Sequence, residues 1–381
     1  MIGEVAKLVG RLALNGLRFQ YLKRTGYPGK PQAISLEITH HCIAKCIMCN
    51  IWKIPREVHD LSVEQWLGLL AAPLFSNLRE LDITGGEPYL LKDLPHLFAG
   101  IRDLRHQNLR ALRSIAITTN GILTRRVLAY TEAILGSLNA CNMELVVVCA
   151  VDAAGPLHDR IRRVKDAWHN VHATLQGLIK IRSRFPNLIL GLKTTILPDN
   201  VDVLDEIADY AAANNLFTIM SPCITTQGRY LNPEKAADMA FNAQQIQKMI
   251  RFYQKGGSFW RYHNEQMLRF LKTGTLKKPC TCGFNYIFIR YDGTLLFCPL
   301  VDMPIGNVTK SRLEDLLSSP KARSVRRRIG RFPDCGRCTE PGLERFSLPF
   351  EGWRYFKALQ KMKPEAFLEM HRHMGLDKYL S

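Results

Sequence analysis

Long apolar runs and acidic residues are both scarce in this sequence. No uninterrupted apolar run approaches the roughly 20 residues of a membrane-spanning helix, which argues against a membrane-spanning protein. The first seven residues lack the basic region and the small-residue cleavage site of a secretory signal, so we expect a cytoplasmic protein. The 381 residues are 46% hydrophobic, enough for one large domain and a smaller one.

Basic residues outnumber acidic ones by 52 to 34, which gives a formal net charge of +18. The excess is concentrated in residues 310–331 and at the N-terminus. Nucleic acid, anionic lipid or an acidic substrate would each suit this charge, and a solvated surface explains it equally well. The sequence also has eleven cysteines, and their clustering favours metal ligation over disulfides.

Strand-like and helix-like segments alternate from residue 33 onward. Six strand–helix units in succession predict parallel strands with right-handed crossovers, and therefore an α/β fold with a partial (βα)6 TIM-like barrel. The expected strands are Ala33–Thr39, Leu78–Thr84, Ser114–Thr119, Glu144–Val151, Leu188–Ile196 and Phe217–Cys223. The expected helices are Ser62–Ala72, Leu94–Arg105, Thr124–Leu138, Val164–Phe185 and Val201–Asn214.

Three cysteines follow the first predicted strand in one short loop. Cys42, Cys46 and Cys49 have the spacing C-x3-C-x2-C, with no fourth cysteine nearby. Thiolates hold iron–sulfur clusters, and three of them leave one iron of a [4Fe–4S] cluster free for another ligand. A zinc site is the alternative, although closed structural zinc sites generally use four protein ligands. In parallel barrels the reaction site lies at the carboxyl ends of the strands, where this loop begins.

The carboxyl ends of the next three predicted strands carry short motifs as well. In chain order they are Gly85-Gly86-Glu87-Pro88, Thr119-Asn120-Gly121, Ala150-Val151-Asp152 and His158-Asp159-Arg160-Ile161-Arg162. A Gly-Gly pair lets the backbone approach a ligand closely, although such a pair also occurs in ordinary turns. The planar fork of an arginine suits a carboxylate.

Together with the cysteine loop, these motifs resemble the radical S-adenosylmethionine (SAM) superfamily in order and spacing. The resemblance implies that the three cysteines hold a [4Fe–4S] cluster whose open iron is chelated by SAM. It also implies that the Gly85-Gly86-Glu87-Pro88 turn binds the SAM amino group, and that Arg162 pairs with the SAM carboxylate. Asn120 and Asp152 belong to the same implied cofactor site. Ala150 stands where the family pattern has a serine, so that side-chain hydrogen bond has no donor here.

A second cysteine set lies downstream, and its members are Cys280, Cys282, Cys298, Cys335 and Cys338. Asp292-Gly293 between two apolar runs predicts a β-hairpin, which would bring Cys280 or Cys282 close to Cys298. A structural zinc ribbon is one interpretation. The spacing also resembles the shorter form of the SPASM/twitch extension of radical SAM enzymes, which implies one auxiliary [4Fe–4S] cluster. Cys280 matches the family position best, and Cys282 is a substitute or an additional ligand.

The resemblance implies an enzyme that cleaves SAM reductively to methionine and a 5′-deoxyadenosyl radical, which abstracts a hydrogen atom from an unactivated C–H bond. It implies an electron donor such as flavodoxin or ferredoxin, and an auxiliary cluster that accepts the electron left on the substrate. Cys223, at the end of the sixth predicted strand, is a candidate catalytic hydrogen-atom donor for an epimerisation, with a packing cysteine as the alternative. A small metabolite, a peptide, and a lipid or isoprenoid are the candidate substrates.

The predicted organisation has five parts: a helix and linker (1–30), the partial barrel (31–245), a helical linker (246–279), a small hairpin/helix cluster-binding domain (280–345) and a basic-aromatic helical tail (346–381). Met1–Arg24 predicts an amphipathic helix whose broad apolar face includes Leu8 and Leu17. That helix either docks on the barrel or lies peripherally at the inner face of a membrane. A zinc protein that binds nucleic acid is the alternative of another class. It leaves the three-cysteine loop unexplained, so we do not expect a nucleic-acid partner.

Overall fold

Nine strands and thirteen α-helices make up the part of the chain that a computed structural model describes: residues 2–256, 261–360, 365, 368, 371 and 375–379. The strands are β1 (Ala33–Glu37), β2 (Glu80–Thr84), β3 (Ser114–Thr119), β4 (Glu144–Ala150), β5 (Leu188–Ile196), β6 (Phe217–Pro222), β7 (Tyr286–Ile289), β8 (Thr294–Leu296) and β9 (Gly306–Asn307). The helices are α1 (Ile2–Thr25), α2 (Val63–Leu70), α3 (Leu94–Arg105), α4 (Thr124–Asn139), α5 (Pro156–Arg162), α6 (Ala167–Arg182), α7 (Leu204–Ala213), α8 (Ala243–Lys255), α9 (Arg261–Thr273), α10 (Leu313–Ser318), α11 (Pro320–Arg328), α12 (Pro341–Glu351) and α13 (Trp353–Leu359).

All nine strands belong to one sheet, in the order β6-β5-β4-β3-β2-β1-β7-β8-β9. Strands β1 to β6 are parallel and each is followed by helix, which confirms the α/β prediction. Strand β7 pairs in parallel with β1, and β8 and β9 complete an antiparallel hairpin beside it. The hairpin with the second cysteine set is therefore an extension of the barrel sheet.

Several element bounds agree with the sequence, and one predicted helix is shorter than expected. Strands β3 and β5 and helix α3 begin and end where the patterns placed them. The single helix expected over Val164–Phe185 is instead preceded by α5, and α6 begins only at Ala167. Arg163 and Asp166 between them have φ of 53° and 58°. A left-handed backbone at these two positions cannot continue a right-handed helix, so the chain turns there.

The two faces of the parallel strands have different surroundings, because one is covered by helices and the other borders a cavity. Residues such as Ile34, Leu81 and Ile117 are fully buried on the face that the helices cover. The alternate residues, among them Ser35 and Asp82, border a cavity inside the barrel. This separation follows from the two-residue period of a strand. The apolar core therefore lies between sheet and helices, and the interior of the barrel combines charged and polar groups with apolar side chains such as Val146 and Val148.

An ionic cluster closes the end of the barrel at which the parallel strands begin. The buried Glu80 carboxylate of β2 lies 2.7 Å from Arg345 Nη1 and 2.9 Å from Lys378 Nζ, and it accepts a hydrogen bond from the Tyr379 hydroxyl. Arg345 belongs to α12, and the other two partners lie in residues 375–379. One carboxylate thus connects the sheet with two C-terminal segments.

Helix α1 docks on the C-terminal part of the protein. Its Leu12 and Phe19 are buried, and the Phe19 ring centroid lies 5.3 Å from that of Phe284 and 5.8 Å from that of Phe350. Of the two leucines assigned to its apolar face, Leu8 is buried, whereas 62% of Leu17 is exposed. Helix α12 also crosses the boundary expected at residue 345, and most residues after 360 lie outside the described part. Among the described helices, none is both long and apolar enough to cross a bilayer.

Candidate active site

The Gly85-Gly86 turn after β2 packs directly on the cysteine loop after β1. Gly86 N donates to Thr39 O at 2.8 Å, and Glu87 N donates to His41 O at 2.8 Å. A Cβ atom on Gly85 would lie 2.3 Å from Thr39 O, and one on Gly86 would lie 2.2 Å from His41 O. Only glycine allows this approach, so the turn fixes the backbone of the cysteine loop.

Two further segments hold the same loop from its other side. Ile47 N donates to the carbonyl of Ile161 at 2.9 Å, at the end of α5. Lys235 Nζ donates to Ile47 O at 2.6 Å, and Asn232 Nδ2 donates to Met48 O at 2.6 Å. The loop is therefore positioned by hydrogen bonds from three separate parts of the chain.

Cys42, Cys46 and Cys49 border one cavity at the carboxyl ends of the strands. Burial, together with the neighbouring Cys46, raises the pKa of Cys42 to about 12, and burial raises that of Cys49 to about 11. Such thiols need a bound cation to become thiolates, because the protein itself does not stabilise the negative charge. Three thiolates on one zinc ion would lie about 3.8 Å apart. Among the described residues no three cysteine sulfurs lie within 4.8 Å of one another.

Not all the residues of the predicted SAM site face this cavity. Gly85, Gly86 and Asn120 border it. Glu87 is buried beneath it, where its carboxylate accepts from Asn120 N at 2.7 Å, from Thr119 Oγ1 at 2.8 Å and from Tyr89 N at 3.1 Å. Burial raises the Glu87 pKa to about 7. The Glu87 side chain thus joins the turns after β2 and β3, and neither Glu87 nor Pro88 lines the cavity.

Arg162 reaches the cavity from the end of α5. Its Nη2 lies 2.7 Å from Asp152 Oδ2, and its Nη1 lies 3.6 Å from Cys46 Sγ. Asp152 is buried behind it and accepts from Thr195 N at 2.9 Å. Arg162 Nε is buried and has no hydrogen-bond partner among the described residues. A buried, unsatisfied guanidinium donor beside three thiols fits a ligand that carries a carboxylate, as SAM does.

Three charged residues of the cavity were missed by sequence reasoning: Lys193 on β5, Arg229 after β6 and Glu340 just before α12. Lys193 Nζ lies 3.9 Å from Glu340 Oε2, and this pairing raises the Lys193 pKa. Arg229 donates to Thr84 Oγ1. All three residues also border the cavity inside the barrel, so the two cavities adjoin and share this wall. No local motif marks these residues, because each comes from a distant part of the chain.

Cys223 follows β6 directly and borders the same cavity as the cysteine loop. Burial raises its pKa to about 12, so it is a neutral thiol at physiological pH. A chain of buried polar groups begins near it: Ser221 Oγ lies 3.2 Å from His263 Nε2, and His263 Nδ1 lies 3.6 Å from Glu344 Oε2. Lys278 Nζ lies 3.4 Å from the same Glu344 oxygen. This chain leads from the cavity to the segment before the second cysteine set.

The second cysteine set is brought together at the hairpin. The buried Cys282 thiol is within hydrogen-bond distance of both Cys280 and Cys298. Cys335 and Cys338 lie at the turn before α12, and both interact with Cys280 and Cys298. Burial raises the pKa of Cys335 to about 11 and that of Cys338 to about 12. Five thiols therefore converge, and Cys280 and Cys282 are both within reach of one metal centre.

Two family models match the chain. The "Radical SAM superfamily" model matches residues 36–211, and the SPASM "Iron-sulfur cluster-binding domain" model matches residues 280–339. The chain belongs to the radical SAM superfamily. Its cofactors are a [4Fe–4S] cluster, SAM and auxiliary iron–sulfur clusters. The matched segments contain both cysteine sets.

Three similar proteins illustrate the range of this superfamily. The sporulation killing factor maturation protein SkfB of Bacillus subtilis is 22% identical over 291 residues, which cover 75% of this chain and 64% of SkfB. A probable GTP 3′,8-cyclase of Saccharolobus islandicus is 29% identical over 165 residues, 41% of this chain and 48% of that protein. Streptococcus suis SuiB, solved with its precursor peptide SuiA, has a TM-score of 0.58 and 13% identity over 81% of this chain and 69% of SuiB, a likeness of fold.

Proposed function

We propose that this radical SAM enzyme oxidatively modifies a peptide. The observation that carries the proposal is a pair of adjoining cavities, one at the three-cysteine loop and one inside the barrel, which share Lys193, Arg229 and Glu340. SkfB, named as a maturation protein, and SuiB, bound to a precursor peptide, support a peptide as the substrate class. The cavity walls suit such a substrate, because they combine charged and polar groups with apolar side chains.

Each part of the cavity has a distinct task in this proposal. Cys42, Cys46 and Cys49 hold the cluster, and Arg162 orients the SAM carboxylate beside it. The bound cofactors would supply a radical that removes a hydrogen atom from an unactivated C–H bond. Lys193 and Arg229 hold polar groups of the peptide, so that one C–H bond stays close to SAM.

The cysteines at the hairpin account for the oxidation of the substrate in this proposal. An auxiliary [4Fe–4S] cluster held by four of the five thiols would accept the electron that the substrate gives up. The substrate also releases a proton with this electron. That proton has a route through Ser221, His263 and Glu344, which connect the cavity with the segment before the hairpin cysteines. The reducing electron for SAM would come from a donor such as flavodoxin or ferredoxin in the cytoplasm.

Cys223 supports a second candidate function, epimerisation of a peptide residue. Its neutral thiol borders the cavity beside the cluster loop, where it could return a hydrogen atom to the substrate. In that case the reaction is redox-neutral, and the substrate keeps its mass. A small-molecule substrate is the remaining alternative, and the likeness to a GTP 3′,8-cyclase is the reason to test it.

Anaerobically purified protein tests the two clusters. We expect about eight irons per chain, and about four after Cys42, Cys46 and Cys49 are all changed to alanine. This triple variant should form no 5′-deoxyadenosine with dithionite and SAM. Cys141→Ser is the matched control, because Cys141 lies outside both cysteine sets. SAM cleavage by the triple variant, or zinc without sulfide in the wild type, would disprove the cluster assignment.

The auxiliary site is tested separately with Cys335→Ala/Cys338→Ala. We expect this variant to cleave SAM without forming product, because the substrate electron has no acceptor.

The substrate class is tested by transfer of deuterium into 5′-deoxyadenosine from labelled peptides, with GTP as the small-molecule comparison. A mass loss of two hydrogens supports oxidation, whereas solvent deuterium in a product that otherwise keeps its mass supports the Cys223 alternative.

A further inference from the structure

Exposed large hydrophobic side chains are confined to one region of the described protein. They are Leu14, Leu17, Tyr21, Tyr27 and Trp353, of which the first three are more than 60% exposed. Leu14, Leu17 and Tyr21 lie on α1, and Tyr27 follows it. Trp353 joins them, because its ring packs on Gly16 of the same helix. A contiguous exposed apolar patch generally marks an interaction site.

Helix α1 has two apolar stripes, and only one of them is used in packing. Leu12, Phe19 and Leu22 are buried against the C-terminal helices. Leu14, Leu17 and Tyr21 are spaced by three and four residues and lie about half a turn away, on the opposite side. The inner stripe alone accounts for the docking of α1. The outer stripe therefore needs another explanation.

Positive charge surrounds this outer stripe. No acidic residue occurs between Glu4 and Glu37. Exposed basic residues of α1 lie beside the stripe, and α11 brings more: the Arg323 guanidinium lies 5.0 Å from the Tyr27 ring centroid, and Arg327 donates to Thr25 O. The exposed basic side chains of this surface are Lys7, Arg11, Arg18, Arg24, Lys321, Arg323, Arg327 and Arg328. The fold thus joins the two basic regions of the sequence into one surface.

We propose that this surface, the outer face of α1 with Tyr27, Trp353 and the basic side chains of α11, binds an anionic lipid bilayer. Leucine and aromatic side chains would enter the region between headgroups and acyl chains, and the flanking arginines and lysines would contact lipid phosphates. Tyrosine and tryptophan suit this boundary, because each has an apolar ring and a polar atom. A nucleic-acid backbone would satisfy the charges but would leave the two leucines without apolar partners.

The proposal is independent of the reaction and is tested with the full chain. Anaerobic protein is sedimented with vesicles of phosphatidylcholine alone and with vesicles that also contain phosphatidylglycerol. We expect binding to the anionic vesicles only, and release at about 1 M salt, where the Debye length falls to about 3 Å. Binding to both vesicle types alike, or to neither, would overturn the proposal.

Two surface variants locate the contact. Leu14→Ser/Leu17→Ser/Tyr21→Ser removes the apolar stripe, and Arg11→Gln/Arg18→Gln removes flanking charge. Each should weaken vesicle binding about tenfold or more. Exposed charges of other helices provide the matched control, Arg125→Gln/Lys180→Gln, which should bind as the wild type does.

Light-scattering measurements of molecular mass test whether a second copy of the chain covers this face instead. The wild type and the variants should have the same mass without vesicles. If the serine variant instead converts a dimer into a monomer, the face is an interface between two copies of the chain and the proposal fails. Retention of vesicle binding by both surface variants would also contradict it.

Discussion

Replacement of Glu80 by glutamine tests how the barrel is closed at the end remote from the cysteines. Burial alone would raise the pKa of Glu80, but Arg345 and Lys378 outweigh burial and lower it from 4.5 to about 2. A pKa lowered by about 2.5 means that the charged carboxylate stabilises the folded protein by about 3 kcal/mol. Glutamine would remove the counter-charge of Arg345 and one of the two carboxylate partners of Lys378, a loss of the same order. We therefore expect the free energy of unfolding to fall by about 3 kcal/mol at neutral pH.

The pH dependence distinguishes this ion cluster from simple loss of packing. Because the folded pKa lies below the unfolded one, the stabilisation is fully present above about pH 4.5. It is lost as the pH falls towards about 2, where the carboxylate becomes protonated in the folded protein. The difference between wild type and Glu80→Gln should therefore be large at pH 7 and should shrink below pH 4.5.

Urea denaturation of the anaerobic holoprotein, followed by circular dichroism at several pH values, measures this difference. Proteolysis near the C-terminus should increase in parallel, since Lys378 and Tyr379 each lose one partner. Glu132→Gln is the control, because Glu132 pairs with Arg184 at an exposed site where such pairs contribute at most about 1 kcal/mol. Equal stability of Glu80→Gln and wild type at pH 7, or a difference that does not change with pH, would refute the reasoning.

Three further predictions concern the cofactor sites and their support. Arg162→Lys keeps a positive charge but loses the fork, so SAM should bind to the cluster-loaded protein about tenfold more weakly or worse, as measured by equilibrium binding. Arg326→Met leaves the carbonyls of Gly283 and Leu317, each 2.6 Å from the guanidinium, without a donor. It should cost about 2–4 kcal/mol of stability and lower the iron content of the auxiliary site, with unchanged iron content as the contrary result. His263→Gln should slow product formation more than SAM cleavage, and an equal effect on both would exclude a proton route through it.

The parallel strands and the cysteine loops were predictable from sequence because their signals are local. Alternating β-branched residues define β3 and β5, and a three-cysteine spacing needs no knowledge of distant residues. The interior charges were not predictable, since Lys193 and Glu340 meet only after strand register and the position of α12 are fixed. The turn that separates α6 from the unpredicted helix α5 was missed for a different reason. It depends on left-handed backbone at an arginine and an aspartate, which composition does not reveal.

Pairing of β1 with β7 determines when the sheet can be completed during synthesis of the protein. Strand β1 leaves the ribosome early, and β2 can cover one of its edges soon afterwards. Its other edge stays open until β7 has been synthesised, because Ala33 of β1 pairs with Tyr286 of β7. An open central edge invites pairing with other chains, and distant pairings form slowly. The strand that carries the first cysteine loop is thus paired on both edges only after about three quarters of the chain has been synthesised.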